Sequence, residues 1–340
     1  MDHARKHKES KAALSFKELA TAYMEEHSKA TKRTWKEDQN ALDRLILLQI
    51  GGVPAKEVTA DQVFDIIKKH ANTSKAQADR TKALLSSIYN WARKERLVNI
   101  NPADRMKKFY ERKRRVRVFS HDELRRLWAR LSAEDMSEND KMANEIIKLA
   151  ILLGQRLHQI SGARKSELHD LNGTAPSWHI PGVRNKNKDE LHVVPLPPLA
   201  AELLARAASR SFGDHVFQSI RFSEKSIHAD TITHVFADIC KELKINGATL
   251  HAARHTFKTE LSKLKITKDT LDRITSHKSG TSSMSEWYDH HDYFEDKLAA
   301  LRLWERRLLE IIEGREPGAN AVQLPMGDPD ETNPSDSPGC

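Results

Sequence analysis

Between Leu250 and Tyr288 the chain gathers residues able to act on a phosphate ester. The stretch opens Leu250-His251-Ala252-Ala253-Arg254-His255-Thr256-Phe257, passes Ser276-His277-Lys278 and closes at Glu286-Trp287-Tyr288-Asp289. If it begins as a helix, positions 251 and 254 share a face, so an imidazole and a guanidinium point the same way. A phosphodiester repels nucleophiles because it is itself negative. Attacking it takes cations on the non-bridging oxygens, a nucleophile, and an acid for the leaving oxygen. Arginine suits the first task, since its planar fork matches phosphate oxygens and it stays protonated. A second candidate, Arg156, follows Leu152-Leu153-Gly154-Gln155, where an apolar helical run ends at a glycine. Taken singly, either arginine would serve as well in a surface salt bridge. With a tyrosine close behind, the set suggests phosphate chemistry by a tyrosine nucleophile.

The elements that carry these residues are marked by caps and periodicity. Ser15-Phe16-Lys17-Glu18 reads as a capping box opening a helix to about His27, and Trp35, Leu42, Leu45 and Ile46 form the apolar face of a second helix from Thr31 to about Gln49. Thr59 and Ser74 cap a third and a fourth, the last with Leu84, Leu85, Ile88 and Trp91 as its buried stripe. This predicts a small all-α domain over residues 14–103. Ser120-His121-Asp122-Glu123 opens a second domain over 118–312, with helices to about Leu131 and from about Asp140 to Leu153. Two short extended runs, Ser177–Pro181 and Leu191–Pro195, flank the polar segment Asn185-Lys186-Asn187-Lys188-Asp189 and predict a β-hairpin with a lysine-bearing tip. Helices resume near Pro198, at 230–243, 249–264 and 268–276, and end with 294–312, whose Leu298, Leu301, Trp304 and Leu308 fall on one face. The fold class expected is mainly α with a small antiparallel sheet. Residues 1–13 and the acidic tail 313–340 are expected to be disordered.

Charge points to an anionic partner. The net charge is +8 over 340 residues, and it is uneven. Between Arg105 and Arg117 only Glu111 is acidic, so the linker at 104–117 is expected to lie along DNA phosphates through Lys107, Lys108, Arg112, Lys113, Arg114, Arg115 and Arg117. Two cysteines, Cys240 and Cys340, make neither a disulfide framework nor a cysteine-type zinc site. The N-terminus has no apolar signal region, and no apolar run is long enough to span a bilayer. A cytoplasmic protein with access to DNA is the expectation. His290 and His291 are adjacent and would point apart on a helix, so no metal site is expected there.

Taken together, these motifs resemble a tyrosine recombinase of the phage integrase family. Leu153-Gly154-Gln155-Arg156 resembles the family's arginine after a Leu-x-Gly turn. Arg184-Asn185-Lys186-Asn187 resembles the hairpin often written Arg-Thr-Lys-Asn, and His251-Ala252-Ala253-Arg254 its His-x-x-Arg helix. Ser276-His277-Lys278 and Tyr288-Asp289-His290-His291-Asp292-Tyr293 resemble the later histidine and tyrosine segments. The five elements stand in the family's order, and the resemblance spans roughly residues 14–312.

The resemblance implies a helical core-binding domain followed by a catalytic domain, together clamping DNA. It implies cleavage and rejoining of attachment-type double-stranded DNA through a 3′-phosphotyrosine, with no metal, ATP or other cofactor, by a homo-tetramer in the synaptic complex. Accessory DNA-bending or directionality factors are candidate partners. Tyr288 would attack, Arg156 and Arg254 clamp the phosphate, His251 and His277 bond it or assist proton transfer, and Lys186 protonate the leaving oxygen. Tyr293 competes as nucleophile and Lys188 as acid. A DNA-binding protein without catalysis, and a DNA-relaxing enzyme with the same chemistry, are the competing readings. The chain departs from the family at Gln159, where glutamate usually follows the arginine by three residues. Weaker support of Arg156 and its helix is therefore expected.

Overall fold

The computed structural model describes residues 14–32, 34–107, 116–133, 137–185, 190–222, 224–277 and 293–315. The chain divides into two compact units, residues 1–114 and 115–340.

Unit 1 is helical. α1 (Phe16–Tyr23) starts at a capping box: Ser15 Oγ accepts from the Glu18 N–H at 3.3 Å, and Glu18 Oε2 accepts from the Ser15 N–H at 2.9 Å. It continues through a π-turn at Met24–Ser28 into Lys29–Thr31. The helix therefore runs past His27, and Thr31 closes it instead of opening the next, because Lys32 turns extended. α2 (Trp35–Ala41) likewise continues through a π-turn at Leu42–Ile46 to Leu47–Ile50. α3 (Ala60–Ala71), capped by the Thr59–Gln62 box, packs against α4 (Lys75–Lys94). Phe16, Leu19, Tyr23, Ile46, Ile67, Leu85 and Ile88 are the center of its core. Burial of such side chains, at about 25 cal/mol per Å² of apolar surface, holds the helices together more than their own propensity does.

Unit 2 is built around α6 (Glu138–Leu153), ten of whose residues are buried. Before it lies α5 (His121–Leu131), opened by the Ser120–Glu123 capping box. After it come a short α7 (Leu157–Ser161), the strands β1 (Leu168–His169), β2 (Ser177–Ile180) and β3 (His192–Pro195), then α8 (Pro198–Arg210), α9 (Ala229–Glu242), α10 (Leu250–Lys263), α11 (Lys268–Ile274) and α12 (Phe294–Ile312). The sheet is antiparallel in the order β1-β2-β3, with Leu168 opposite Trp178 and Trp178 opposite Val194. β2 and β3 are the two extended runs of the expected hairpin. β1 was not expected, since two residues leave no alternation to read.

α6 ends where the site begins. Gly154 takes a left-handed conformation (φ 60°), which stops the helix and turns the chain toward Arg156. Phe257 of α10 covers it so closely that a Cβ there would lie 2.5 Å from the ring. Trp304 of α12 stacks edge-on against Phe257 at 6.0 Å and donates its indole N–H to the Ile151 carbonyl at 3.0 Å. Gly154→Ala thus meets both an unfavourable backbone and a collision. A loss of about 2–4 kcal/mol is expected, read as a lower urea midpoint for peptides of α6 and α10 in hydrogen exchange.

Candidate active site

Three segments of unit 2 meet at one place: the turn after α6, the start of α10 and the turn after α11. Arg254, on α10, is 6% exposed. Its Nη1 donates to the Gly154 carbonyl at 2.7 Å and its Nη2 to the Thr275 carbonyl. Arg156 stands at the N-cap of α7, and its Nη2 donates to the Ser276 carbonyl at 3.3 Å. Arg156 Nη1 is buried without a partner among the described residues. Gln155 fastens the same corner, donating to the carbonyls of Leu153 at 3.1 Å and Ile274 at 2.7 Å.

The electrostatics are those of an anion site. Burial, then the neighbouring Arg156 charge, lowers Arg254 to about 10, which leaves it charged at neutral pH. Burial alone lowers Arg156. Asp272 is the acid that favours the Arg254 charge, and it is already engaged by Lys258 at 2.7 Å. Two neighbouring guanidiniums with so little counter-charge among the described residues favour a bound anion, and Arg156 Nη1, unpartnered among those residues, is a donor available to it.

His251 and His277 stand at the edge of this site, both exposed. Burial, then His255, Arg254 and Arg156, lowers His251. The His255 ring meets it edge-on at 4.6 Å. Burial, then Lys258, Arg254 and Arg156, lowers His277 against the opposing pull of Asp272. Both are therefore neutral near pH 7, with one ring nitrogen to donate and one to accept. Of the six residues expected to carry the chemistry, Arg156, His251, Arg254 and His277 are together here. Lys186 and Tyr288 lie outside the described residues, as do Lys188, His290 and His291.

Further contacts hold the site and were not read from the sequence. Glu167 accepts from the Trp178 indole at 3.0 Å and pairs with Arg184, which also donates to the Gln159 carbonyl. Gln159 Oε1 accepts from the Arg156 N–H at 3.0 Å, so the amide at this position still caps the arginine's turn. The Arg184-Asn185 pair before Lys186 was the signal that could have led to these contacts. His192 on β3 is buried, and burial followed by the Lys297 charge lowers it to about 3. The unfolded chain takes that proton near pH 6.5 and the folded chain does not. The stabilisation is complete above about 6.5 and is lost as pH falls toward 3, at up to about 1.4 kcal/mol per pH unit. Urea midpoints of unit 2 between pH 6 and 4 should fall less steeply in His192→Leu.

Among the linker cations, Lys107 is exposed. Arg117, expected on DNA, is held within unit 2: it pairs with Glu123, donates to the Val118 carbonyl, and reaches the Asn246 carbonyl at 3.4 Å. Lys108, Arg112, Lys113, Arg114 and Arg115 lie outside the described residues. No helix among the described residues is long and apolar enough to cross a membrane.

Comparison with known proteins bears on this arrangement. The family model for the phage integrase family matches residues 117–295, and that for the phage integrase central domain matches 16–109. A lambda integrase dimer bound to a COC′ core site is similar in structure, with a TM-score of 0.63 at 16% identity over 84% of this chain and 80% of that one. A lambda integrase tetramer bound to a Holliday junction gives 0.63 at 15% over 83% of each. The Tn1549 transposon integrase in complex with transposon right end DNA gives 0.62 at 14%, over 84% of this chain and 98% of that one. At these identities the likeness is one of fold. No curated protein matches in sequence.

Proposed function

The chain belongs to the phage integrase family, and we propose that it is a site-specific DNA recombinase that cuts and rejoins DNA through a 3′-phosphotyrosine. The observation that carries this reading is the pair of guanidiniums, Arg254 buried and Arg156 half-buried, with Arg156 Nη1 buried and lacking a partner among the described residues. That is the charge a phosphodiester needs on its non-bridging oxygens.

In this reading Tyr288 supplies the nucleophile. A phenol with a pKa of ~10 is ionised in only about one molecule in a thousand at pH 7, and the two arginines favour both the phenolate and the charge growing on phosphorus. The tyrosine gives its proton to a neutral imidazole, His251 or His277, and its oxygen bonds to phosphorus; the bond to the 5′-oxygen breaks, and Lys186 gives that oxygen its proton. His251 and His277, neutral at pH 7, hydrogen-bond the phosphate. The phosphodiester energy stays in the protein–DNA bond, so another 5′-hydroxyl can reverse the step without ATP. Tyr293 supports this choice by its own engagement: the Arg273 guanidinium lies 3.7 Å from its ring centre, at the N-terminus of α12. Unit 1 and the basic linker would hold duplex DNA. The relatives solved as a dimer on a core site and a tetramer on a Holliday junction support assembly of four copies on two duplexes, with accessory factors as further partners.

The test uses supercoiled plasmid with two copies of the attachment site recovered from the junctions of the element that carries the gene. Purified chain in EDTA and without ATP should yield resolved or inverted recombinants. Relaxed circles alone would mark a DNA-relaxing enzyme, and binding without any strand breakage a DNA-binding protein; either result would contradict the proposal.

A further inference from the structure

Asn185 is 2% exposed, although it is the last residue before the lysine-bearing segment 186–189. Its Nδ2 donates to Ser276 Oγ at 2.7 Å, and Ser276 Oγ lies 3.1 Å from its Oδ1. The same Oδ1 accepts from Gln159 Nε2 at 3.3 Å. Each partner belongs to the phosphate site. Gln159 caps the Arg156 turn, and Ser276 both precedes His277 and gives its carbonyl to Arg156 Nη2. The Asn185 backbone is held too, its N–H donating to the Gly182 carbonyl at 2.9 Å and the Pro181 carbonyl at 3.2 Å.

We infer that Asn185 is a positioning residue: with Gln159 and Ser276 it clasps the start of the lysine-bearing segment to the Arg156–His277 side of the site, and so sets where the leaving-group acid can reach. The inference rests on the reading of Lys186 as that acid. Whatever path residues 186–189 take, the Cα of residue 186 is about 3.8 Å from that of Asn185. Lys186 follows Asn185 directly in the sequence, so a clasp at Asn185 acts on it through one peptide link. Lys188 follows two residues later in the sequence, so the clasp acts on it less directly. The residue types fit the task. An amide at 159 accepts from the Arg156 N–H while donating to Asn185, and a buried asparagine can serve a donor and an acceptor at once. A rigid link of this kind matters because a displacement of about 1 Å can cost about 10²-fold in rate.

The leaving atom gives a readout that a merely structural role would not move. A thiol is far more acidic than an alcohol, so a 5′-bridging sulfur departs without a proton donor. Full-length Asn185→Ala, Ser276→Ala and Lys186→Ala are compared on nicked duplexes carrying the attachment site, with oxygen or sulfur at the scissile 5′ position. Asn185→Ala and Ser276→Ala should slow cleavage of the oxygen duplex about 10–100-fold, and the sulfur duplex should remove most of that defect, as it should for Lys186→Ala. Ser276→Ala breaks the same clasp from a less buried side, should Asn185→Ala fold poorly. Equal losses on both duplexes, or none on either, would overturn the positioning role while sulfur rescue of Lys186→Ala left the acid in place. If sulfur fails to rescue Lys186→Ala, the reading of Lys186 falls, and the inference with it.

Discussion

Arg254→Lys is expected to lower the rate of covalent strand cleavage by about 10³-fold while DNA binding changes only a few-fold. The guanidinium already spends two donors inside the protein, on the Gly154 carbonyl at 2.7 Å and on the Thr275 carbonyl. Its planar fork leaves further N–H groups for a phosphate. An ammonium has three donors on a single atom and cannot span both carbonyls and the phosphate together. Desolvation adds to the loss. The site lowers Arg254 to about 10 and leaves it charged, whereas lysine starts lower and would begin to lose its proton there. Binding survives because it is spread over many phosphate contacts. Arg254→Ala should cost as much in rate and also lower the melting temperature, because two buried carbonyls lose their donor. Cleavage rates on a nicked duplex, band shifts on intact duplex and thermal melts separate the three effects.

Tyr288→Phe should abolish the covalent protein–DNA adduct altogether, since no other residue is assigned to attack. Tyr293→Phe should keep it. The Tyr293 ring lies under the Arg273 guanidinium at 3.7 Å, and phenylalanine preserves that contact while removing only the hydroxyl. Denaturing gels of protein trapped on a nicked duplex distinguish the two. An adduct in Tyr288→Phe, or its loss in Tyr293→Phe alone, would exchange the roles.

What could be read from the sequence depended on how far the informative residues lie from one another. Helix starts were legible because Ser15, Thr59, Ser74 and Ser120 each sit within three residues of the group they cap. The end of α6 was legible because glycine takes φ 60° without penalty. Arg156, His251 and Arg254 stood out because residue type and spacing carry the motif. The residues that hold them in place did not. Asn185 bonds Ser276 across ninety-one positions, and Glu167 pairs with Arg184 across seventeen, with no period linking either pair. Gln159 read as a weakened support because only its missing charge was visible. Its partners, the Arg156 N–H and Asn185 Oδ1, need an acceptor and a donor, and an amide supplies both. Arg117 read as a phosphate contact from its place in a basic run, yet Glu123 and backbone carbonyls hold it within unit 2.

The central claim is that Arg156, His251, Arg254 and His277 serve attack by Tyr288, and the adduct itself tests it most directly. Purified chain is trapped on a nicked duplex bearing the attachment site, digested with protease, and the DNA-linked peptide sequenced by mass spectrometry. The account predicts one linked peptide, with a 3′-phosphate ester on Tyr288 and a released strand ending in a 5′-hydroxyl. Linkage at Tyr293 or any other residue, or cleavage that leaves no protein on the DNA, would contradict it.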